Sequence, residues 1–256
     1  MKKLIAICLL LLLASCTSPP QSPQSPQPQS PELTWDHDPA TLIIRVAFSG
    51  GGSAPNAALV NELFGAQVWG DGRIIWTTWD KDYHRQVWQG QLSEAQMTSL
   101  LETFAAKGFF DMDAHYEPDA TVLDGGSTSL SVHLLSTSTQ VSEYLNSAPD
   151  EFHELTALLS SGAGVEGTPY MPPSGQLTAR EITPRDGMDS PELPIWDATA
   201  LELDLHDAER IWVEGDALAR AWEAVNRNSA FPIMVQGDSY FELYLRLPEL
   251  SVMEPH

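Results

Sequence analysis

Residues 64–79 read Phe64-Gly65-Ala66-Gln67-Val68-Trp69-Gly70-Asp71-Gly72-Arg73-Ile74-Ile75-Trp76-Thr77-Thr78-Trp79. Two runs rich in β-branched and aromatic side chains flank Gly-Asp-Gly. Asp-Gly supplies the positive-φ backbone that a tight turn between antiparallel strands demands, so the stretch predicts a β-hairpin. A further strand is expected at residues 84–89. It leads into Leu92-Ser93-Glu94-Ala95-Gln96-Met97. Ser93 and Gln96 have the spacing of a capping box, and Leu92 and Met97 that of a hydrophobic staple. Met97, Leu100, Leu101 and Phe104 recur at helical spacing, and Lys107-Gly108 ends the helix with a cation and a glycine.

Working outward, residues 41–48 alternate, with Leu42, Ile44, Val46 and Phe48 on one face. Downstream, residues 127–135 and 140–145 predict a second hairpin. A helix follows Ser147-Ala148-Pro149-Asp150, proline standing in its first turn. Phe152, Leu155 and Leu159 form its stripe. Beyond it, strands are expected near residues 176–182 and 200–205, a helix over 216–228, and a last hairpin from 231–235 and 240–247. Hairpins and helices without βαβ alternation predict an α+β fold of mostly antiparallel sheets with packed helices, in two subdomains. The Gly-, Pro- and Ser-rich stretch 160–174 marks the boundary, giving residues 34–162 and a smaller unit, 163–256. Val87-Trp88-Gln89-Gly90 and Ile211-Trp212-Val213-Glu214-Gly215 hold similar places in the two halves, an arrangement that an old duplication would leave.

The amino terminus is of another kind. Met1-Lys2-Lys3, an apolar run over 4–13 and Ala14-Ser15-Cys16 are the parts of a secretory signal, residues 1–15. The run is too short for a transmembrane span, which needs ~20 residues. Leu13-Ala14-Ser15-Cys16 resembles the lipobox of bacterial lipoproteins. That resemblance implies cleavage before Cys16, lipidation of its sulfur and anchoring of the folded part to a membrane of the cell envelope, outside the cytoplasm. Residues 16–33, almost all Pro, Gln and Ser after the cysteine, predict an extended spacer. The stretch from Val68 to Ile75 leading into Leu92-Ser93-Glu94-Ala95-Gln96 also resembles domains of bacterial exported proteins to which no activity is attached.

Cys8 and Cys16 are the two cysteines, so the expected folded part has no thiol chemistry. The formal charge of −22 becomes −24 once Lys2 and Lys3 leave with the signal. So few cations argue against nucleic acid as a partner and against an electrostatic grip on anionic lipid.

Motifs for chemistry are incomplete. His153-Glu154-Leu155-Thr156-Ala157 has half of a zinc-protease signature, with alanine where the second histidine belongs. No G-x-S-x-G elbow, P-loop or dinucleotide fingerprint is present. Asp204, His206 and Asp207 read as a polar turn. The acidic stretch with Asp111, Asp113, Asp119 and Asp124 is first a solvated loop and second a calcium site, the one metal its oxygens would suit; its spacing is not that of an EF-hand. Trp69, Trp76, Trp79 and Trp88 crowd one hairpin region. Trp76 and Trp79 point to opposite faces of their strand, so one can be core while the other meets a sugar or a protein partner. These signals point to an envelope-anchored, non-catalytic binding module for a glycan or protein. An enzyme with a site assembled from distant Asp, Glu and His, or a purely structural envelope protein, are the alternatives.

Overall fold

The computed structural model describes residues 31–50, 56–119, 124–183 and 193–253. Residues 31–256 form one compact unit. Cys16 and the signal, the spacer up to residue 30 and residues 51–55 lie outside the described residues.

The larger sheet contains β1 (Leu42–Ser49), β2 (Ala66–Trp69), β3 (Arg73–Trp79), β4 (Arg85–Gln91), β5 (His115–Tyr116), β6 (Ser127–His133), β7 (Ser138–Tyr144) and β8 (Thr168–Pro169). Their order is β5-β7-β6-β1-β2-β3-β4-β8, antiparallel throughout except for the short β5–β7 pair. The smaller sheet holds β9 (Gly175–Ile182), β10 (Ile211–Val213), β11 (Ile233–Gln236) and β12 (Ser239–Arg246), ordered β10-β9-β12-β11 and wholly antiparallel. The helices are α1 (Asn56–Val60), α2 (Glu94–Ala106), α3 (Asp150–Ser160) and α4 (Gly215–Arg227). This is an α+β fold of mostly antiparallel sheets.

The Gly70–Gly72 turn closes the expected β2–β3 hairpin. Gly72 takes φ +85°, and a Cβ there would lie 2.3 Å from the Leu92 carbonyl oxygen, so the turn accepts only glycine without rearrangement. The α2 capping box forms as its sequence dictates: Ser93 Oγ accepts from the Gln96 amide while Gln96 Oε1 accepts from the Ser93 amide.

Burial decides what each strand does. On β3, Ile74 and Trp76 face one core with Val46, Val68, Phe104 and Phe152. Ile75, between them, faces a second core with Trp69, Val87, Leu177, Trp222 and Leu243. The strand is therefore buried on both sides, which accounts for its continuous apolar run. The first core is built from residues 35–159. The second draws Leu63, Trp69, Ile75 and Val87 from before residue 163 and the rest from the small sheet, α4 and the segments around Trp196, Leu205, Ala208, Leu247 and Leu250.

Residues 61–65 join the two sheets. Asn61 is fully buried; its amide donates to the Leu243 carbonyl (3.0 Å) and its oxygen accepts from the Leu245 amide (2.7 Å), completing the open edge of β12. Leu63 pairs with Ser251, and the Gly65 amide bonds the Val46 carbonyl of β1.

The strand expected at 200–205 does not form. Asp197 accepts from the Thr199 and Ala200 amides, Glu202 takes φ +51°, and the Trp196 indole donates to the Leu203 carbonyl. Local side-chain bonds turn the chain there, and a 3-10 turn follows at Leu205–Asp207. The two halves also differ in wiring. After α4 the last strand, β12, docks beside β9; after α2 the first strand of the following hairpin, β6, docks beside β1.

Candidate binding cleft

The face of β3 that carries Ile75 into the second core continues through Thr77 to Trp79. Thr77 is half-buried and Trp79 is 55% exposed, so the strand emerges there from under its cover. Trp79 stands directly opposite Arg85 across the β3–β4 ladder, and opposed residues share a face. Phe48 at the end of β1, with Leu59 and Glu62 in and just after α1, closes the other side. The ring of Phe48 lies on Gly65, where a Cβ would come within 2.3 Å of it. The result is a cleft of about 330 Å³, apolar but for a few groups.

Two of those groups are ionisable. Arg85 is 4% exposed; its guanidinium donates to the Asn61 carbonyl (2.6 Å) and to Asn226 Oδ1 (2.7 Å), and lies 5.7 Å from the Trp222 ring centroid. Burial pulls it down to about 9, so it remains cationic at neutral pH. Among the described residues it has no carboxylate partner, so a buried positive charge is held by neutral acceptors alone. That is an expensive arrangement, and a polar or anionic ligand group would relieve it. Burial raises the Glu62 carboxyl above its ordinary value, and a hydrogen bond from the Gly50 backbone partly offsets this.

The cleft continues past Arg85. A neighbouring hollow of about 400 Å³ is lined by Val87, Tyr170, Met171 and Trp222, and shares Arg85 with the first. A third, about 430 Å³, holds Tyr83, Phe231 and Pro232, and shares His84 and Arg227 with the second. Exposed Trp79, Tyr83, Met171 and Phe231 thus border one run of depressions. Among the described residues Glu62 is the one carboxylate lining the first hollow, and no histidine lines it. The Thr77 hydroxyl there donates to the Phe64 carbonyl, not to a base. Among the described residues the lining offers stacking and hydrogen bonding and no nucleophile–base pair.

The four tryptophans separate. Trp69 is buried in the second core under the Arg73 guanidinium (3.9 Å), and Trp76 in the first core against Gly162 and Gly167. Trp88 is half-buried, its indole donating to Thr78 Oγ1 (2.9 Å). Trp79 alone of the four lines the cleft.

Asp111, Asp113, Asp119 and Asp124 are all exposed and do not gather. Among the described residues the one group of three with ligand atoms within 4.8 Å is Asp80, Asp82 and His84, in the β3–β4 turn. There Asp80 Oδ1 accepts from the Asp82 and His84 amides (2.8 and 2.9 Å), which lowers its pKa and shapes the turn. The alternation Asp80, Asp82, His84 was the available signal. His153 bonds the buried Glu143 carboxylate (2.9 Å) and Glu154 pairs with Lys107, so both have structural partners. Asp204 is held down to about 2, first by Gln236 and then by the His206 backbone and ring. Arg85, Glu62, Phe48 and Leu59 had no sequence signal, because no motif relates residues drawn from β1, α1 and β4. No family model matches the chain, and comparison with curated proteins returns no match.

Proposed function

We propose that the chain is a lipid-anchored binding protein of the bacterial envelope, held by Cys16, whose exported part captures a sugar ring against Trp79 without transforming it. The observation that carries this is the pairing of a half-exposed Trp79 face with the buried, carboxylate-free Arg85 guanidinium directly opposite. An aromatic face stacks on the apolar face of a sugar, and fixed donors and acceptors orient its hydroxyls. The cleft volume lies at the low end of ligand pockets, ~300–1,000 Å³, and suits a small ligand or the end of a chain better than a broad protein contact. The lipobox and the spacer support the location, because they would hold the domain off a membrane on the exported side.

The test is a thermal-shift screen of the full-length chain in detergent against envelope glycans and peptidoglycan fragments. A ligand of the native state raises Tm by mass action. Trp79→Ala is expected to abolish the shift while changing the stability of the unliganded protein by no more than about 0.5 kcal/mol, as for an exposed side chain. A shift that survives Trp79→Ala, a silent panel, or conversion of a bound glycan to product would each defeat the reading.

A further inference from the structure

The outer face of the small sheet carries an arrangement that the Trp79 cleft does not use. On β9 and β12, Leu177, Leu243 and Leu245 point into the second core. The alternate residues share the opposite face: Gln176, Thr178 and Arg180 stand against Arg246, Tyr244 and Glu242 respectively. This face floors a groove of about 550 Å³, walled by Asn56 and Val60 of α1 on one side and by His206, Ala208, Glu209 and Arg210 on the other.

Three of the chain's few arginines meet there. Arg180 lines the floor diagonally across the β9–β12 ladder from Tyr244. Arg210 enters from just before β10. Its backbone takes φ +57°, a conformation that costs an L-residue energy, and its amide is tied to Thr178 Oγ1 (3.2 Å). Among the described residues neither Arg210 nor Arg246 pairs with a carboxylate. Among the described residues that line the groove Glu209 is the one carboxylate; just outside it, Glu242 accepts a hydrogen bond from the Tyr244 hydroxyl and Asp204 is bonded to the His206 ring. The lining itself therefore carries three guanidiniums against one carboxylate. In a chain of net charge −22 that local excess is the reverse of the surrounding surface. With a screening length of ~8 Å at physiological salt, the groove's own charges set its potential.

We infer that this groove is a second ligand site, for a small molecule bearing an oxyanion, phosphate or carboxylate, gripped between Arg180, Arg210 and Arg246. Planar guanidiniums match the two oxygens of such a group bidentately, and the Thr178 hydroxyl offers a neutral hydrogen-bonding group beside it. The groove shares no lining residue with the Trp79 cleft, so the two sites stand or fall separately.

The test is calorimetric titration of the full-length chain in detergent with inorganic phosphate and, separately, with succinate, at low and at high salt. One anion is expected to bind at a single site, more weakly at high salt. Arg246→Met and Arg180→Met, which keep the apolar stems, are each expected to weaken it at least tenfold, while Lys107→Met, at the end of α2 beside Glu154, leaves it unchanged. Tighter binding of phosphate or of succinate identifies the oxyanion. Circular dichroism of each variant separates loss of the site from loss of the fold, and Arg210→Met replaces any variant that fails to fold. Absence of heat with both anions overturns the assignment, as does equal binding by wild type and the folded arginine variants.

Discussion

Glu62 shows what one side chain gives up to line a cleft. Burial raises its carboxyl, so between its unfolded and folded pKa values the native state holds more protons than the unfolded chain. Stability then falls as pH rises through that window, and the charged form costs stability at neutral pH. Glu62→Gln is accordingly expected to raise Tm at pH 7 and to have little effect at pH 4, where both states are largely protonated. Melting curves of the two proteins at both pH values decide it; an equal difference at both would mean that the carboxylate is not the cause. The same scale shows the limit of residue-by-residue reading. Trp79 and Trp76 are both tryptophans on one strand, and alternation alone separates their faces. Which face was covered depended on where the small sheet ends.

Elements formed by local chemistry were legible. The Gly70-Asp71-Gly72 turn and the Ser93–Gln96 capping box rest on contacts within a few residues, and both form as their sequences dictate. Ser93→Ala is expected to cost about 1 kcal/mol, measured by urea unfolding, because the Gln96 amide loses its acceptor. The element joining the sheets was not legible. Asn61 sits in a short polar stretch after α1 and bonds atoms 182 and 184 residues away. Asn61→Ala is expected to cost about 2–4 kcal/mol, since the buried Leu243 carbonyl and Leu245 amide both lose their partner. A cost near that of Ser93→Ala would show that water or a backbone shift replaces the amide. The failed strand at 200–205 belongs here too. Leu201, Leu203 and Leu205 alternate as a strand would, but the Asp197 cap and the Trp196 indole hold the backbone in turns.

For the whole molecule, the second core decides cohesion. It takes Trp69, Ile75 and Val87 from the large sheet and Leu177, Leu243 and Trp222 from the small sheet and α4. Neither side can leave without exposing the other's apolar face, so the two sheets are expected to unfold in one transition. Native-state hydrogen exchange checks this: the amides of Val68 and Leu243 should open with the same free energy, and a lower value for Leu243 would reveal a separately melting small sheet.

The amino-acid sequence by itself determined the α+β class, most of the hairpins, the α2 capping box and the absence of complete catalytic motifs, because each depends on periodicity or on neighbours a few positions apart. Only the tertiary structure decided that β3 is buried on both faces, that Trp79 meets Arg85 and Glu62 in a cleft, and that three arginines share a groove. Those facts depend on which strands lie side by side. That choice is made by burying apolar area across long sequence separations, which leaves no local pattern in the chain.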